Sequence, residues 1–298
     1  MVNNSVCCII VTYNIGKKFY GCFNAIFNQV EQVVIVDNGS NKETIEILQD
    51  IEKTTSTIVL YNENNLGIAA ALNRGVNYAK ENNFYWVLTM DNDSIATESM
   101  VETMLYSYNS LEKREADKIV SIFPDYMETG CLEESDIVKK SDKENVEIEY
   151  LPLEITSGNL VKTFIFDLVG NFKEDLFIDM VDNDFCLRLG RLGYKLIRVK
   201  NAVLIHSLGN TQKKNLIFRS ITYTNHSSLR RYYITRNRFY LWNEYKDIAS
   251  EVIEYDKGAF KKEIVKIIFF ENDKLKKINM IIRGYRDYKR NKFGPLDN

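Results

Sequence analysis

The chain has 298 residues, 45% of them hydrophobic and 27% charged, with a formal net charge of −2 and five cysteines. This is ordinary globular composition, enough for one large core or a domain with an appendage, and the overall charge names no partner. The cysteines show no Cys-x-x-Cys spacing, which argues against a disulfide framework or a structural zinc site, and no uncharged apolar run reaches the ~20 residues that span a bilayer.

Val6 to Val11 is a continuous apolar run that contains Cys7 and Cys8, as expected of a strand covered on both faces. Phe19, Cys22, Phe23, Ile26 and Phe27 then follow helical spacing. Val33 to Val36 reads as a second strand ending in Asp37-Asn38-Gly39-Ser40, followed by a helix over about 41–53. Ile58 to Tyr61 is a short strand ending at Asn62. An Ala-rich helix lies within Leu66 to Glu81, and Tyr85 to Met90 is a strand ending in Asp91-Asn92-Asp93. This alternation predicts an α/β fold with a mostly parallel sheet, whose ligands bind beyond the carboxyl ends of its strands.

Beyond residue 125 the pattern loosens. Residues 133–154 hold eight acidic and three basic side chains, and 127–149 reads as an exposed acidic loop or hairpin. Residues 177–193 read as a loop entering a helix, with Phe185, Leu189 and Leu192 on one face and Gly193 as its C-terminal cap. Leu196 to Ile205 reads as a strand ending at His206. From about 227 onward the pattern is helical and aromatic-rich. There is no basic patch with a following apolar stretch at the N-terminus, so no signal peptide is expected, and a reducing cytoplasm fits the cysteine usage.

Polar residues gather at the strand ends: Thr12-Tyr13-Asn14, Asp37-Asn38, Asn62 with Asn64-Asn65, and Asp91-Asn92-Asp93. Side chains at i and i+2 of an extended segment share a face, so Asp91 and Asp93 are placed to hold a hard cation that neutralises a diphosphate leaving group; the competing role is a solvated turn. Asp37 is placed to accept from a base or ribose, or to cap the next helix. Asn65 and Gly67 precede a helix start that favours anions, or simply a tightly packed helix. Asp179, Asp182 and Asp184 stand at another helix start, more than capping needs, and Asp182 or Asp184 is a candidate base for an acceptor hydroxyl. His206 is a candidate ligand for Mn²⁺, or a packed residue. Residues 212–238 hold seven basic and no acidic side chains, either a phosphate contact or a solvated helix face; nucleic acid is not an expected partner of so local a cluster. Lys274 to Lys292 has eight basic residues and one acidic, with Leu275, Ile278, Ile281, Ile282 and Tyr285 at helical spacing, fit for an anionic membrane surface or for packing on the domain.

Val11-Thr12-Tyr13-Asn14, Val36-Asp37-Asn38-Gly39-Ser40, Asn65-Leu66-Gly67 with Ala71 and Asn73, and Asp91-Asn92-Asp93-Ser94 occur in the order found in family 2 glycosyltransferases of the GT-A fold. Phe177 to Tyr194 with His206 resembles the acceptor half of that family, and Arg231-Tyr232-Tyr233 with Arg236-Asn237 resembles the tail of its bacterial rhamnosyltransferase-like branch. The resemblance covers roughly residues 5–240. It implies a Rossmann-like GT-A catalytic domain over 1–210, with a nucleotide-sugar half to about 95 and an acceptor half over 96–210, then a C-terminal helical region over 211–298. It implies an inverting transferase in which Thr12, Tyr13, Asn14, Asp37, Asn65, Gly67, Asp91 and Asn92 hold the nucleotide. Asp93 and His206 would bind Mn²⁺ or Mg²⁺, and Asp182 would be the base, with Asp184 the competing assignment. The branch points to dTDP-L-rhamnose as donor, with a UDP-hexose as the alternative, and to a growing glycan acceptor, often lipid-linked, met in the cytoplasm or at the inner face of the cell membrane. The Gln-x-x-Arg-Trp motif of the processive synthases is absent, which favours single additions in cell-surface polysaccharide synthesis. A sugar nucleotidyltransferase, which usually has a Gly-rich loop with arginine after its first strand, and a non-catalytic binding module are the remaining alternatives.

Overall fold

The computed structural model of the protein describes residues 4–128, 147–206, 211–216 and 219–296. The first half alternates: β1 (Val6–Thr12), α1 (Phe19–Ile26), β2 (Gln32–Asp37), α2 (Lys42–Thr54), β3 (Ile58–Tyr61), α3 (Ile68–Glu81) and β4 (Trp86–Asp91). All seven residues of β1 are buried, because the strand has a parallel neighbour on each side and helices on both faces. Its alternate side chains feed two cores. Cys8 and Ile10 pack with the apolar stripes of α1 and α2, whereas Cys7, Ile9 and Val11 pack with α3. The small residues of α3 let it approach closely: a Cβ on Gly75 would stand 2.4 Å from Ile9 Cγ2.

The second half adds β5 (Ile95–Ala96), α4 (Met100–Asn109), α5 (Lys113–Ala116), β6 (Ile119–Glu128), β7 (Ile148–Leu151), β8 (Asn159–Lys162), α6 (Ile165–Val169), α7 (Val181–Arg191) and β9 (Lys195–His206). The sheet runs β3-β2-β1-β4-β8-β6-β9-β5, with β7 also paired to β9. It is parallel from β3 to β4 and mixed beyond, since β8 is antiparallel to both β4 and β6. Two reversals restore the original direction, and β6 is parallel to β9. His206, ending β9, therefore comes to the same sheet edge as Asp91, ending β4.

The C-terminal part is helical from Ser228 onward, as expected, with strands at 211–224 where the helical region was expected to start. β10 (Thr211–Leu216) and β11 (Arg219–Thr224) pair as an antiparallel hairpin, in keeping with the threonines, Ile221 and Tyr223 that favour strands over helices. Helices follow as α8 (Ser228–Glu244), α9 (Ser250–Phe270) and α10 (Lys274–Lys289). Leu192 also departs from expectation: α7 ends at Arg191 and Gly193 takes φ +78°, so Leu192 turns out to solvent. Most of the expected acidic loop at 127–149 lies outside the described residues. Among those residues no helix is long and apolar enough to cross a membrane, and Cys7, Cys8, Cys22 and Cys186 are buried and free.

Candidate active site

A cleft of about 260 Å³ opens at the carboxyl edge of β1, β2 and β4. Tyr13, Asn38, Asn65, Gly67, Asp91, Asn92 and Asp93 line it, with Val11, Ile68, Phe177 and Ile178 as its apolar wall. Candidate ligand atoms of Asp91, Asp93 and His206 lie within 4.8 Å of one another. Two carboxylates and an imidazole form a mixed oxygen and nitrogen set suited to a borderline divalent cation such as Mn²⁺. The histidine is held from behind. Its Nδ1 is 2.8 Å from Ser94 Oγ, which is 2.8 Å from Ser157 Oγ, and Ser157 Oγ accepts from the Asp91 N–H at 3.1 Å. One polar chain thus fixes both the ring and the start of the acidic triplet. Burial raises the Asp91 carboxyl above its ordinary range; His206 opposes that shift and Asp93 adds to it.

The other nucleotide-side candidates divide into lining and supporting groups. Tyr13 stands 48% exposed at the cleft mouth. Asn92 is turned inward, and its Nδ2 donates to Val11 O at 3.1 Å. Asn65 Oδ1 accepts from Asn38 Nδ2 and from the Gly67 N–H. Gly67 has φ +87°, and a Cβ there would stand 2.6 Å from Phe177 O, so only glycine fits between α3 and the 177–180 loop. Thr12, Asp37 and Asn14 do not line the cleft. The buried Asp37 carboxylate accepts from Thr12 Oγ1, Gly39 N and Ser40 N. It closes a turn rather than capping α2, whose cap is Asn41. Asn14, at φ +53°, accepts from Asn41 N at 2.7 Å.

The two base candidates part clearly. Asp182, at the start of α7, is half-buried, and its Oδ1 accepts from Asn183 N at 2.8 Å. Burial, with the like charges of Asp179 and Asp91, moves its carboxyl up to about 6, against the backbone hydrogen bonds that oppose the shift. Asp184 is fully buried and turned into the core. Arg188 Nε at 2.9 Å and Tyr245 OH at 2.6 Å donate to it. Its carboxylate is spent on α7 and α8 packing, so the structure does not bring it to the cleft group.

Among the described residues of the basic cluster of 212–238, Arg231, Arg236 and Arg238 are buried and form no solvated face. Arg231 is buried against Glu263 and Glu271, and Arg238 against Asp256 and Glu263. The Arg236 guanidinium donates to Asp175 O, Leu176 O and Gly294 O. Asn237, wholly buried, donates from Nδ2 to Leu176 O, Ile178 O and Asp179 O, each at 2.9 Å. Together they grip a loop in which Phe177, Asp179 and Met180 all take positive φ. Arg230 alone of these arginines leans towards the cleft, held by Asp179 at 2.9 Å and near enough to Asp91 and Asp182 to feel their charge. Sequence reasoning did not find Ser157, Phe177 or the loop clamp; the hydroxyl, aromatic and carbonyl contacts that define them join residues some 60 positions apart.

Residues 7–129 match the family model described as glycosyl transferase family 2. The dTDP-rhamnosyl transferase RfbF of Shigella flexneri is 31% identical over 252 residues, covering 80% of this chain and 80% of that protein. The chain belongs to glycosyltransferase family 2. This transferase also shares the GT-A fold with solved structures. S. aureus TarS 1-349 in complex with UDP-GlcNAc matches with a TM-score of 0.62 at 13% identity, over 97% of this chain and 81% of that one. GalNAc-T7 with UDP, GalNAc and Mn²⁺ matches with a TM-score of 0.58 at 16% identity, over 82% of this chain and 49% of that one. In the glycosyltransferase, the matched family segment ends one residue past β6, so Asp182 and His206 lie outside it.

Proposed function

We propose that this glycosyltransferase inverts configuration, depends on a divalent cation and moves one rhamnose from dTDP-L-rhamnose to a hydroxyl of a glycan acceptor in cell-surface polysaccharide synthesis. The observation that carries the chemistry is the Asp91–Asp93–His206 group standing near a separate carboxylate, Asp182, of raised pKa. The donor assignment rests on the similarity to RfbF; a UDP-hexose is the alternative donor.

Asp91, Asp93 and His206 would hold Mn²⁺ or Mg²⁺, which when bound neutralises charge on a diphosphate leaving group. Ligation through His206 Nε2 requires the tautomer in which Nδ1–H donates to Ser94 and Ser94 donates to Ser157, as the 2.8 Å spacings allow. Tyr13 supplies a face for the base, and Asn65 and Asn92, each oriented by a hydrogen bond, fix the cleft wall. Thr12, Asn14 and Asp37 serve the nucleotide by shaping the two loops that flank it. Asp182, uncommitted to any cation in the core, takes the acceptor hydroxyl proton as that oxygen attacks the anomeric carbon from the face opposite the departing diphosphate. Arg230 adds positive charge at the rim.

The test of donor class is a thermal-shift panel of nucleotide sugars with Mn²⁺ or Mg²⁺, since a ligand of the folded state raises its stability by mass action. A larger shift with dTDP-linked than with UDP-linked compounds is expected. A preference for UDP compounds overturns the rhamnose assignment, and no shift with any of them overturns the transferase site.

We place the enzyme at the cytoplasmic face of the cell membrane, touching it through the basic helix α10. Its exposed Leu275 and Ile282 stand among lysines and arginines, a mixture that suits an anionic interface.

A further inference from the structure

A second cavity, also of about 260 Å³, lies between α8, α10 and the segment that follows α10. Four cations face it, Arg283, Arg286, Arg290 and Lys292, with one carboxylate, Asp287. Asp287 is already engaged: it accepts from Tyr232 OH at 2.9 Å and lies 3.9 Å from Arg283. Among the described residues no carboxylate pairs with Arg286, Arg290 or Lys292. The end of a helix favours cations, which accounts for Arg286 in the last turn of α10. Arg290 caps that helix and Lys292 lies past it, yet both converge on the same cavity as Arg283 and Arg286. Cations that converge on one concavity with a single engaged carboxylate repel one another and focus a positive potential there.

We propose that this pocket is a binding site for a phosphate or diphosphate ester, distinct from the nucleotide cleft. Guanidinium forks match phosphate oxygens in pairs, and the cavity is too small for a macromolecule. Its position ties it to the reaction. Tyr232 lines it, the rings of Tyr232 and Tyr233 meet at 5.1 Å, and Tyr233 stacks at 5.1 Å on Phe177, which lines the cleft. Beside these rings Leu296 N donates to Tyr233 OH, and Gly294 N to Asp175 O. Pocket and cleft are thus joined by aromatic rings in series. Two sources carry this chemistry: a phosphate on the acceptor itself, and the headgroup of an anionic lipid. The proposal does not depend on which sugar is transferred.

The test titrates inorganic pyrophosphate into the full-length protein in EDTA by calorimetry. Binding is expected, weakening as salt is added. The double variant Arg286→Ala/Arg290→Ala, both exposed and without a carboxylate partner among the described residues, should bind at least ~10-fold more weakly. It should melt like the wild type and keep its affinity for dTDP with Mn²⁺. Asp93→Ala should do the reverse, losing dTDP with Mn²⁺ and keeping pyrophosphate. Absence of pyrophosphate binding by the wild type, or equal binding by the double variant, overturns the site; loss of dTDP binding in the wild type would instead strike at the transferase reading. Two arms identify the source. A KM rise in the double variant confined to a phosphorylated acceptor assigns the acceptor. Reduced sedimentation with phosphatidylglycerol vesicles, with KM unchanged, assigns the headgroup. No change in either arm reduces the pocket to an adventitious ion only and overturns its role.

Discussion

Two aspartates two positions apart have opposite lives in this enzyme. Asp184 is buried and paired, so Asp184→Ala should cost about 3 kcal/mol of stability while the folded fraction keeps its turnover. Asp182→Asn should leave the melting temperature and donor binding near wild type and cut kcat by about 10²- to 10⁴-fold. Thermal melts beside single-turnover rates separate the two; normal transfer by Asp182→Asn would remove it as the base. The pH dependence has a definite sign. A base works deprotonated and the Asp182 carboxyl sits up at about 6, so kcat/KM should fall as pH drops through that value. A cation beside Asp91 offsets the like charge acting on Asp182, so the acidic limb should lie at about pH 6 or below it. The residue pattern alone left these two aspartates open, because both occupy the first turn of α7, and only the family resemblance favoured Asp182. What separates them is helical phase, which turns Asp184 towards Tyr245, a residue 61 positions away. Asp91 and Asp93 were legible because extended backbone puts alternate residues on one side.

At the scale of elements, α8 sets the shape of the loop that carries Phe177 and Asp179. Replacing Asn237 by leucine takes the side-chain donor from the carbonyls of Ile178 and Asp179, while Leu176 O keeps Arg236; the cost should be about 2–3 kcal/mol, lowering the melting temperature by roughly 5 °C. Activity should fall further than the folded fraction does, because the loop forms one wall of the cleft; a variant that melts earlier yet works normally would show that the clamp serves stability alone. For α10, Leu275→Glu with Ile282→Glu should abolish sedimentation with anionic vesicles and leave transfer to a soluble acceptor intact. Unchanged sedimentation would remove this helix as the membrane contact. Strands and helices up to β4 were readable from alternation and period, since each buries a continuous run or stripe. The β10–β11 hairpin was not: lysines and threonines gave it neither a clear apolar stripe nor a clean alternation.

At the scale of the whole molecule, the sheet order explains why the candidate metal group, Asp91, Asp93 and His206, draws on distant segments. β8 and β6 lie between β4 and β9, so a residue at position 206 meets one at position 91 only after two reversals of direction. The strand-end candidates, His206 among them, could be inferred from local order along the chain, whereas the meeting of His206 with Asp91, and the closure by Ser157 and the 175–179 loop, are properties of the assembled sheet. The C-terminal helices are also less of an appendage than the expected boundary near residue 210 implied. Arg236 and Asn237 reach back to hold the backbone of residues 175–179 through five hydrogen bonds, and Arg236 also donates to Gly294 O, whose own N–H donates to Asp175 O. An exchange of tails between relatives would therefore not be a neutral graft. A chimera joined near residue 226 imports a foreign grip on the cleft wall formed by Phe177 and Ile178, so tail and sheet domain have to change together.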